Sequence, residues 1–435
     1  EETNLDISNL IFCGIRDWYD KTTNERTIVF MFKTKTYKGN LATNNVEGKL
    51  EWRRLDSIQP EEYASGLDKE MAIFFDSQTL EFYSNYNLET NKWTLKKKLL
   101  FKLLQTPSIS GNELAIQKML IEELKDIDDT IITHHSYNTM HIVNKESNVK
   151  VMLLAHIDEI GLVIEKIEEN GICKLTNVGA IKPQMYMGQH VWVVKFDSNG
   201  QYTYIPGVIG YPANYNCANI SVNDLNLDLG CRSKEETLKL VQIGDRVIHK
   251  DNVQELANNL ITSRALDDKI GVFICAEVLK RVKTKTTNGV YFVATVGEET
   301  TGRGAYFASD MVNPTCAIVL DVGSSTDVKY KEKFTHEVSL GGGPILTIAS
   351  HANQKLVDLL KESAKRLNIP LQYAVEIAKT YTDFDTIYKK NKGIPSELIS
   401  IPLRYMHSAT EVCSLDDIQY IIELLVDFII NLDEH

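Results

Sequence analysis

Five short stretches bring together residue types that could do chemistry: His156-Ile157-Asp158-Glu159, Asp267-Asp268, Glu298-Glu299, Asp321 and His407. Each has an ordinary explanation by itself. Glu298-Glu299 could be a solvated strand end, Asp267-Asp268 an acid pair favoured by a helix macrodipole, and His407 a loop residue. Together they supply two imidazoles, several carboxylates and no thiolate, and gathering that many carboxylates is unfavourable unless cations neutralise them. A dinuclear metal centre would remove the difficulty. Imidazole plus carboxylate oxygen suits Zn, Co or Mn, and without cysteine a structural zinc knot is excluded. Two ions about 3.5–4 Å apart need a bridging carboxylate and can share a hydroxide while polarising a carbonyl. One adjacent acid must then stay outside the ligand set, taking a proton from water and passing it to a leaving amine.

The elements that would position these groups are legible as apolar runs. Residues 149–155, 289–296 and 316–320 are of strand length, and they lead into His156, Glu298-Glu299 and Asp321 respectively. Amphipathic spacing predicts helices over 99–104, 113–124, 270–282, 353–367 and 416–432. Alternating strand and helix argues an α/β fold, a three-layer open and mostly parallel sheet, whose ligands bind outside the carboxyl ends of the strands. Ser263 to Asp268 opens the helix from Ile270, and His407 follows the run 398–403, so both can reach that edge. Residues 171–258 break the rhythm with short β-rich pieces punctuated by Gly188, Gly207, Gly210 and Pro212, which predicts an inserted β-barrel-like domain. The catalytic domain is then 98–170 with 259–435, and 1–97 forms a small α+β domain with strands near 27–34 and 80–83. Gly341-Gly342-Gly343-Pro344 reads as a turn, because no Lys-Ser/Thr follows it to make a phosphate loop.

Composition narrows the partners. The 435 residues are 43% hydrophobic and carry 47 basic against 59 acidic side chains, a net charge of −12 that repels nucleic acid and anionic membrane. No apolar run approaches the roughly 18–20 residues that span a bilayer, and the start has no signal-peptide pattern. The seven cysteines are scattered and never spaced C-x-x-C, which fits a reducing cytoplasm.

Several runs resemble a known family. Ala155-His156-Ile157-Asp158-Glu159-Ile160-Gly161, Ala265-Leu266-Asp267-Asp268-Lys269, Ala294-Thr295-Val296-Gly297-Glu298-Glu299, Leu320-Asp321-Val322-Gly323 and Arg404-Tyr405-Met406-His407-Ser408 are similar, in order and spacing, to the five signatures of the tetrahedral-aminopeptidase and glutamyl-aminopeptidase family of metallopeptidase clan MH. The resemblance runs from about residue 98 to the C terminus. It implies a metal-dependent aminopeptidase acting on peptides through a metal-bridged hydroxide. It further implies two divalent ions, zinc first, with Asp267 bridging, His156 and Asp321 on one ion, and Glu299 and His407 on the other. Glu298 would be the general base and Asp158 would orient His156, while Asp268 would be a neighbour or a cap. His134, His135, His141, His190, His249, His336 and His351 are expected in loops or on the surface. Homo-oligomers follow from the same resemblance, as dimers or tetrahedral dodecamers.

Two segments depart from the family pattern. Thr300-Thr301-Gly302-Arg303-Gly304 stands where the family has Val-Gly-Leu-Arg-Gly, and Thr380-Tyr381-Thr382-Asp383-Phe384 where it has Gly-Gly-Thr-Asp-Ala, so specificity does not carry over. At the N terminus, Glu1-Glu2-Thr3-Asn4-Leu5 resembles the tail of a Nudix box and 47–52 a later Nudix strand; the upstream acid is absent, which implies a half-site holding Mg²⁺ poorly. The competing readings are another dinuclear amidohydrolase, a carboxypeptidase or deacylase, and a non-catalytic peptide-binding protein.

Overall fold

The computed structural model describes residues 5–20, 25–34, 36–41, 44–45, 48–49, 81–84, 86–87, 92–93, 97–127, 130–133, 138–212, 219–328 and 337–432. The chain divides into two compact units, Glu1–Lys96 and Lys97–His435. In the first, Ile11–Asp20 pairs antiparallel with Glu25–Lys33 and parallel with Glu81–Ser84, while Asp6–Ser8 pairs with Thr36–Lys38. The Nudix-like stretches, residues 1–4 and most of 47–52, lie outside the described residues.

The second unit is built on an 11-stranded mixed sheet. Its centre is four parallel strands, β1 (Lys150–His156), β2 (Gly289–Thr295), β3 (Cys316–Ser324) and β4 (Ser396–Arg404), in the order β2-β1-β3-β4. Antiparallel strands flank them: Thr139–Val143 beyond β2, and Glu411–Ser414 then Leu260–Ser263 beyond β4. The central strands are apolar almost without interruption because both faces are covered. One face carries the helices α1 (Leu266–Val282) and α2 (Leu415–Ile430). On the other, Met152, Leu154, Val293 and Val319 pack against Ala305, Ala308, Phe384 and Ile387. Removing each such leucine or valine from water contributes roughly 1.5–3 kcal/mol, which makes the central strands the rigid part of the unit.

Between β1 and α1 the chain forms a closed six-stranded barrel with its own apolar core, including Leu162, Leu175, Val193, Ile209 and Val247. The first barrel strand is Gly161–Ile167, ten residues ahead of the sequence-based boundary, and the last is Arg246–His249. Its onset was hidden because Leu162 and Ile164, buried inside the barrel, continue the apolar texture of β1. The glycine-rich segment before Pro344 is a turn, and its amides at Gly341 and Gly343 donate to the buried Asp417 carboxylate at 2.7 Å each. Gly343 has φ +91°, and a Cβ there would lie 2.0 Å from the Pro370 carbonyl oxygen, so the turn requires glycine.

One buried group in β4 works against the fold. Glu397 is fully buried, neither carboxylate oxygen has a hydrogen-bond partner, and burial pushes its carboxyl up to about 8 against the weaker pull of Lys361. The native state therefore holds a proton that the unfolded chain releases, and stability falls as pH rises from the unfolded value near 4.5 to about 8. Glu397→Gln should match wild type near pH 4 and exceed it at pH 9 by on the order of 2 kcal/mol, read as a widening gap in thermal midpoints.

Candidate metal and peptidase centre

The carboxyl ends of the central strands converge on one cluster. His156 is the last residue of β1 and lies in register with Thr295 of β2, Asp321 sits in β3, and Glu298-Glu299 follow β2 directly. Two loops complete it. The turn into α1 presents Asp267 and Asp268, with regular helix only from Lys269 onward, and the Asp267–Asp268 peptide bond is cis. The loop after β4 presents His407. Ala265, Tyr381, Tyr405 and His407 all have φ between 54° and 62°, a left-handed conformation costing roughly 1–3 kcal/mol for a residue with a side chain. Glu411 helps to hold two of these turns: its buried carboxylate accepts the amides of His407 at 2.8 Å and Asp267 at 3.2 Å.

Asp267 is the centre of the cluster. Its Oδ1 lies 3.0 Å from His156 Nε2 and its Oδ2 lies 3.3 Å from His407 Nε2, so each oxygen faces a different imidazole. Around His156 Nε2 stand Asp321 Oδ1 at 3.9 Å and Glu298 Oε2 at 4.0 Å. Around His407 Nε2 stands Glu299 Oε1 at 3.8 Å. All six sequence-predicted ligands and base, His156, Asp267, Glu298, Glu299, Asp321 and His407, are thus brought together. Asp158 is also present, though differently from expectation: His156 Nδ1 meets the Asp158 main-chain oxygen at 3.1 Å, with the carboxylate at 3.7 Å. That carboxylate instead accepts the Glu298 amide at 3.1 Å and the Ser110 hydroxyl.

Sequence reasoning passed over several residues that matter here. Ser110, Asp383 and Glu411 are buried against the cluster; Asp383 accepts the Thr295 hydroxyl at 2.6 Å, and its other oxygen has no partner. Asp268 caps the Gly271 amide at 3.1 Å, yet its Oδ2 is unpartnered and the residue groups with His156 and Asp321 as a potential metal site. Only a carboxylate beside the signature runs could have marked Glu411 and Asp383. The expectation that the remaining histidines lie in loops or on the surface fails for His141 and His249, which are buried because aromatic rings stack on them, Phe292 and Tyr186 respectively. His351 is largely enclosed by Phe384 and Tyr388. His190 is exposed, and His134, His135 and His336 lie outside the described residues.

The electrostatics are those of an anionic pocket short of positive charge. Burial pushes Glu299 and Asp321 well above the usual carboxylate range, and repulsion from Asp267 adds to it. Glu298 rises to about 10, through burial first and then Asp321, Asp383 and Asp158, despite the opposing pull of His156. Burial would raise Asp267 too, but its bonds to His156 and His407 outweigh that and hold it low. His156 is conversely raised, its burial overcome by Asp267, Asp321 and Glu298. A few ångströms away the charges are balanced: Glu159 pairs with Arg264 and with the fully buried Lys269 at 2.9 Å, and stays low at about 2 although burial opposes it.

This donor set fits divalent ions. His156 with Asp268 and Asp321, and His156 with Asp267 and Glu299, each offer ligand atoms within 4.8 Å of one another, and Asp268 Oδ2 and Glu299 Oε1 have no hydrogen-bond partner among the described residues. Nitrogen and oxygen donors without sulfur match Zn, Mn or Co.

Comparison with known proteins agrees with this geometry. Residues 138–424 match the model of the M42 glutamyl aminopeptidase family. A putative aminopeptidase of Acetivibrio thermocellus is 36% identical over 336 residues, 76% of this chain and 97% of that protein. A TET aminopeptidase from a marine sediment Thaumarchaeota archaeon superposes with a TM-score of 0.71 at 27% identity, covering 78% of this chain and 96% of that one. The Pyrococcus horikoshii TET1 peptidase, described as assembling into a tetrahedron or a large octahedral shell, gives 0.67 at 29% identity over 77% and 99%. The fold and the site define a peptidase. The chain belongs to the M42 glutamyl aminopeptidase family.

Because the raised carboxyls hold protons that a cation displaces, metal binding should release protons and tighten with pH. Calorimetric titration with Zn²⁺ in two buffers of different ionisation enthalpy should show net proton release at pH 6.5, and a dissociation constant falling at least ten-fold between pH 5.5 and 7.5.

Proposed function

We propose that this chain is a metal-dependent aminopeptidase that removes N-terminal residues from peptides. The observation that carries the reading is Asp267, whose two oxygens address two imidazoles, each with its own acid beyond. In this reading Asp267 would be shared by two divalent ions, zinc being the commonest choice for such donors. His156 and Asp321 would hold one ion, Glu299 and His407 the other. Bound ions would polarise the scissile carbonyl and acidify water, the chemistry the side chains alone lack.

The protein's own groups do the rest. Glu298 stands at the edge of the cluster as the base, its Oε2 4.0 Å from His156 Nε2. With cation charge offsetting the neighbouring acids its carboxyl would be ionised, and it would accept a proton from the attacking water and deliver it to the leaving amine nitrogen, so the proton count closes over the cycle. Asp158 fixes the Glu298 main chain through its amide, and Ser110 fixes Asp158. Arg303 and Arg404, either of which could have received a substrate carboxylate, are engaged: Arg404 forms a two-point pair with Asp327 at 2.9 and 2.6 Å, and Arg303 lies 3.5 Å from Glu113. That favours recognition of an amine terminus over a carboxylate. The barrel is proposed to carry assembly, with Met185, Val208, Leu238 and Ile243 exposed on it, and the products are expected to be homo-oligomers. Five described cysteines are free, consistent with a cytoplasmic setting, and no helix among the described residues is long and apolar enough to cross a membrane.

Glu298→Gln should retain its metal and lose at least a hundred-fold in kcat, whereas Asp267→Asn and His407→Ala should lose metal as well. Metal analysis beside turnover separates the two classes; equal metal loss in all three would remove Glu298 from the base position. Terminus recognition is tested with a free-amine aminoacyl peptide and its N-acetylated twin. Cleavage of the first alone supports an aminopeptidase, and comparable cleavage of both would promote the deacylase or carboxypeptidase alternative.

A further inference from the structure

A cavity opens beside the centre, lined by Tyr186, Ile248 and His249 of the barrel and by Arg264, with Glu299 and His407 also lining it. His156, Glu298 and Asp321 do not line it, so it adjoins one half of the centre only.

Two polar groups in its wall are buried without hydrogen-bond partners: Nδ1 of His249, a residue 7% exposed, and Nε of Arg264, a residue 3% exposed. The terminal nitrogens of Arg264 are committed to Glu159 and, at 3.1 Å, to Asp251, which holds the guanidinium in place and leaves Nε–H as its spare donor. The His249 ring stacks on Tyr186 with centroids 3.9 Å apart. Burial, with the nearby Arg264 charge, pushes it down to about 4, so at neutral pH the ring is uncharged and carries one N–H. A guanidinium nitrogen can only donate, so the group that satisfies this pair is an oxygen acceptor.

The distribution of charge sets the direction of a bound peptide. Asp158, Asp321 and Asp383 all act on Glu298 and none of the four lines the cavity, so a peptide's amine is favoured beside them. The cavity wall also holds Glu159, Asp267, Glu299 and Glu411, but Arg264 stands among them paired to Glu159, and an electron-rich carbonyl is directed to that cation.

We propose that this cavity is the subsite for the residue on the leaving side of the scissile bond, with His249 and Arg264 donating hydrogen bonds to its carbonyl oxygen. The pair would make peptides better substrates than aryl amides of the same amino acid. This inference rests on the aminopeptidase reading.

The test compares one aminoacyl group attached to alaninamide, whose leaving part carries a carbonyl, with the same group on β-naphthylamine, whose leaving part carries none. His249→Phe keeps a ring against Tyr186 and removes the donor. It should lower the ratio of kcat/KM for the alaninamide to that for the naphthylamide about ten-fold, the scale of one neutral hydrogen bond. His249→Asn, which retains a donor, should recover part of that ratio. An unchanged ratio in His249→Phe overturns the subsite, and so does an equal loss on both substrates, which is what a merely structural role would give. A metal-loaded wild-type protein that cleaves neither substrate overturns the aminopeptidase reading itself.

Discussion

The second unit is organised around an excess of buried negative charge. Asp158, Asp267, Asp268, Glu299, Asp321, Asp383 and Glu411 are buried or nearly so at one sheet edge, and among the described residues the imidazoles paired with them belong to His156 and His407. Left without cations, most of these groups are driven toward the protonated form, as the raised positions of Asp321, Glu299 and Glu411 show. A cluster of neutral carboxylic acids would be a poor reason to keep so many of them. Their arrangement gains sense when divalent cations neutralise them, and the strained turns at Ala265 and His407 are the backbone cost of bringing these side chains together from separate elements.

The Glu159 network shows the alternative solution to the same problem. Here the carboxylate is balanced internally by Arg264 and Lys269, with further bonds from the Ser108 amide at 2.9 Å and from Lys269 to the Thr106 carbonyl at 2.8 Å. Removing either cation would leave Glu159 and Asp251 sharing one positive charge, and removing both would leave an uncompensated buried carboxylate, a loss of about 3–5 kcal/mol in comparable pairs. The two neighbouring arrangements therefore have opposite purposes. One is complete in protein atoms and ties the loop before helix 114–124 to the start of α1; the other is incomplete in protein atoms.

The strand ends were legible in the sequence because physics makes them so. A parallel strand buried on both faces is a continuous apolar run, and the first ionisable residue after it must lie at the sheet edge, which is how His156, Glu298, Glu299 and Asp321 could be read. The helices from Ile270 and around 353–367 and 416–432 followed from spacing and agree with the observed Leu266–Val282, Gln354–Leu367 and Leu415–Ile430. The supporting residues were not legible. Ser110 reaches Asp158 across 48 positions and Glu411 holds His407 through backbone amides, contacts that leave no periodic trace. His249 was hidden for a different reason: in Arg246–His249 alternate residues face opposite sides, and only closure of the barrel determines which side meets the catalytic sheet.

Barrel closure is also what turns a sheet edge into an enclosed site. The chain leaves β1 just after His156-Ile157-Asp158-Glu159, builds the barrel, and returns at Leu260–Ser263 to enter the turn that carries Asp267. Both ends of the insertion are thereby fixed within the cluster, one by His156 and the other by Asp267, which are 3.0 Å apart. Any displacement of the barrel relative to the sheet would act on that separation and on the Glu159 to Arg264 pair, which joins the same two ends. The rigidity of the centre is therefore a property of the whole excursion, and the Glu159 to Arg264 ion pair, which also lines the proposed subsite, is the fastener that makes a long insertion compatible with a closely defined cluster.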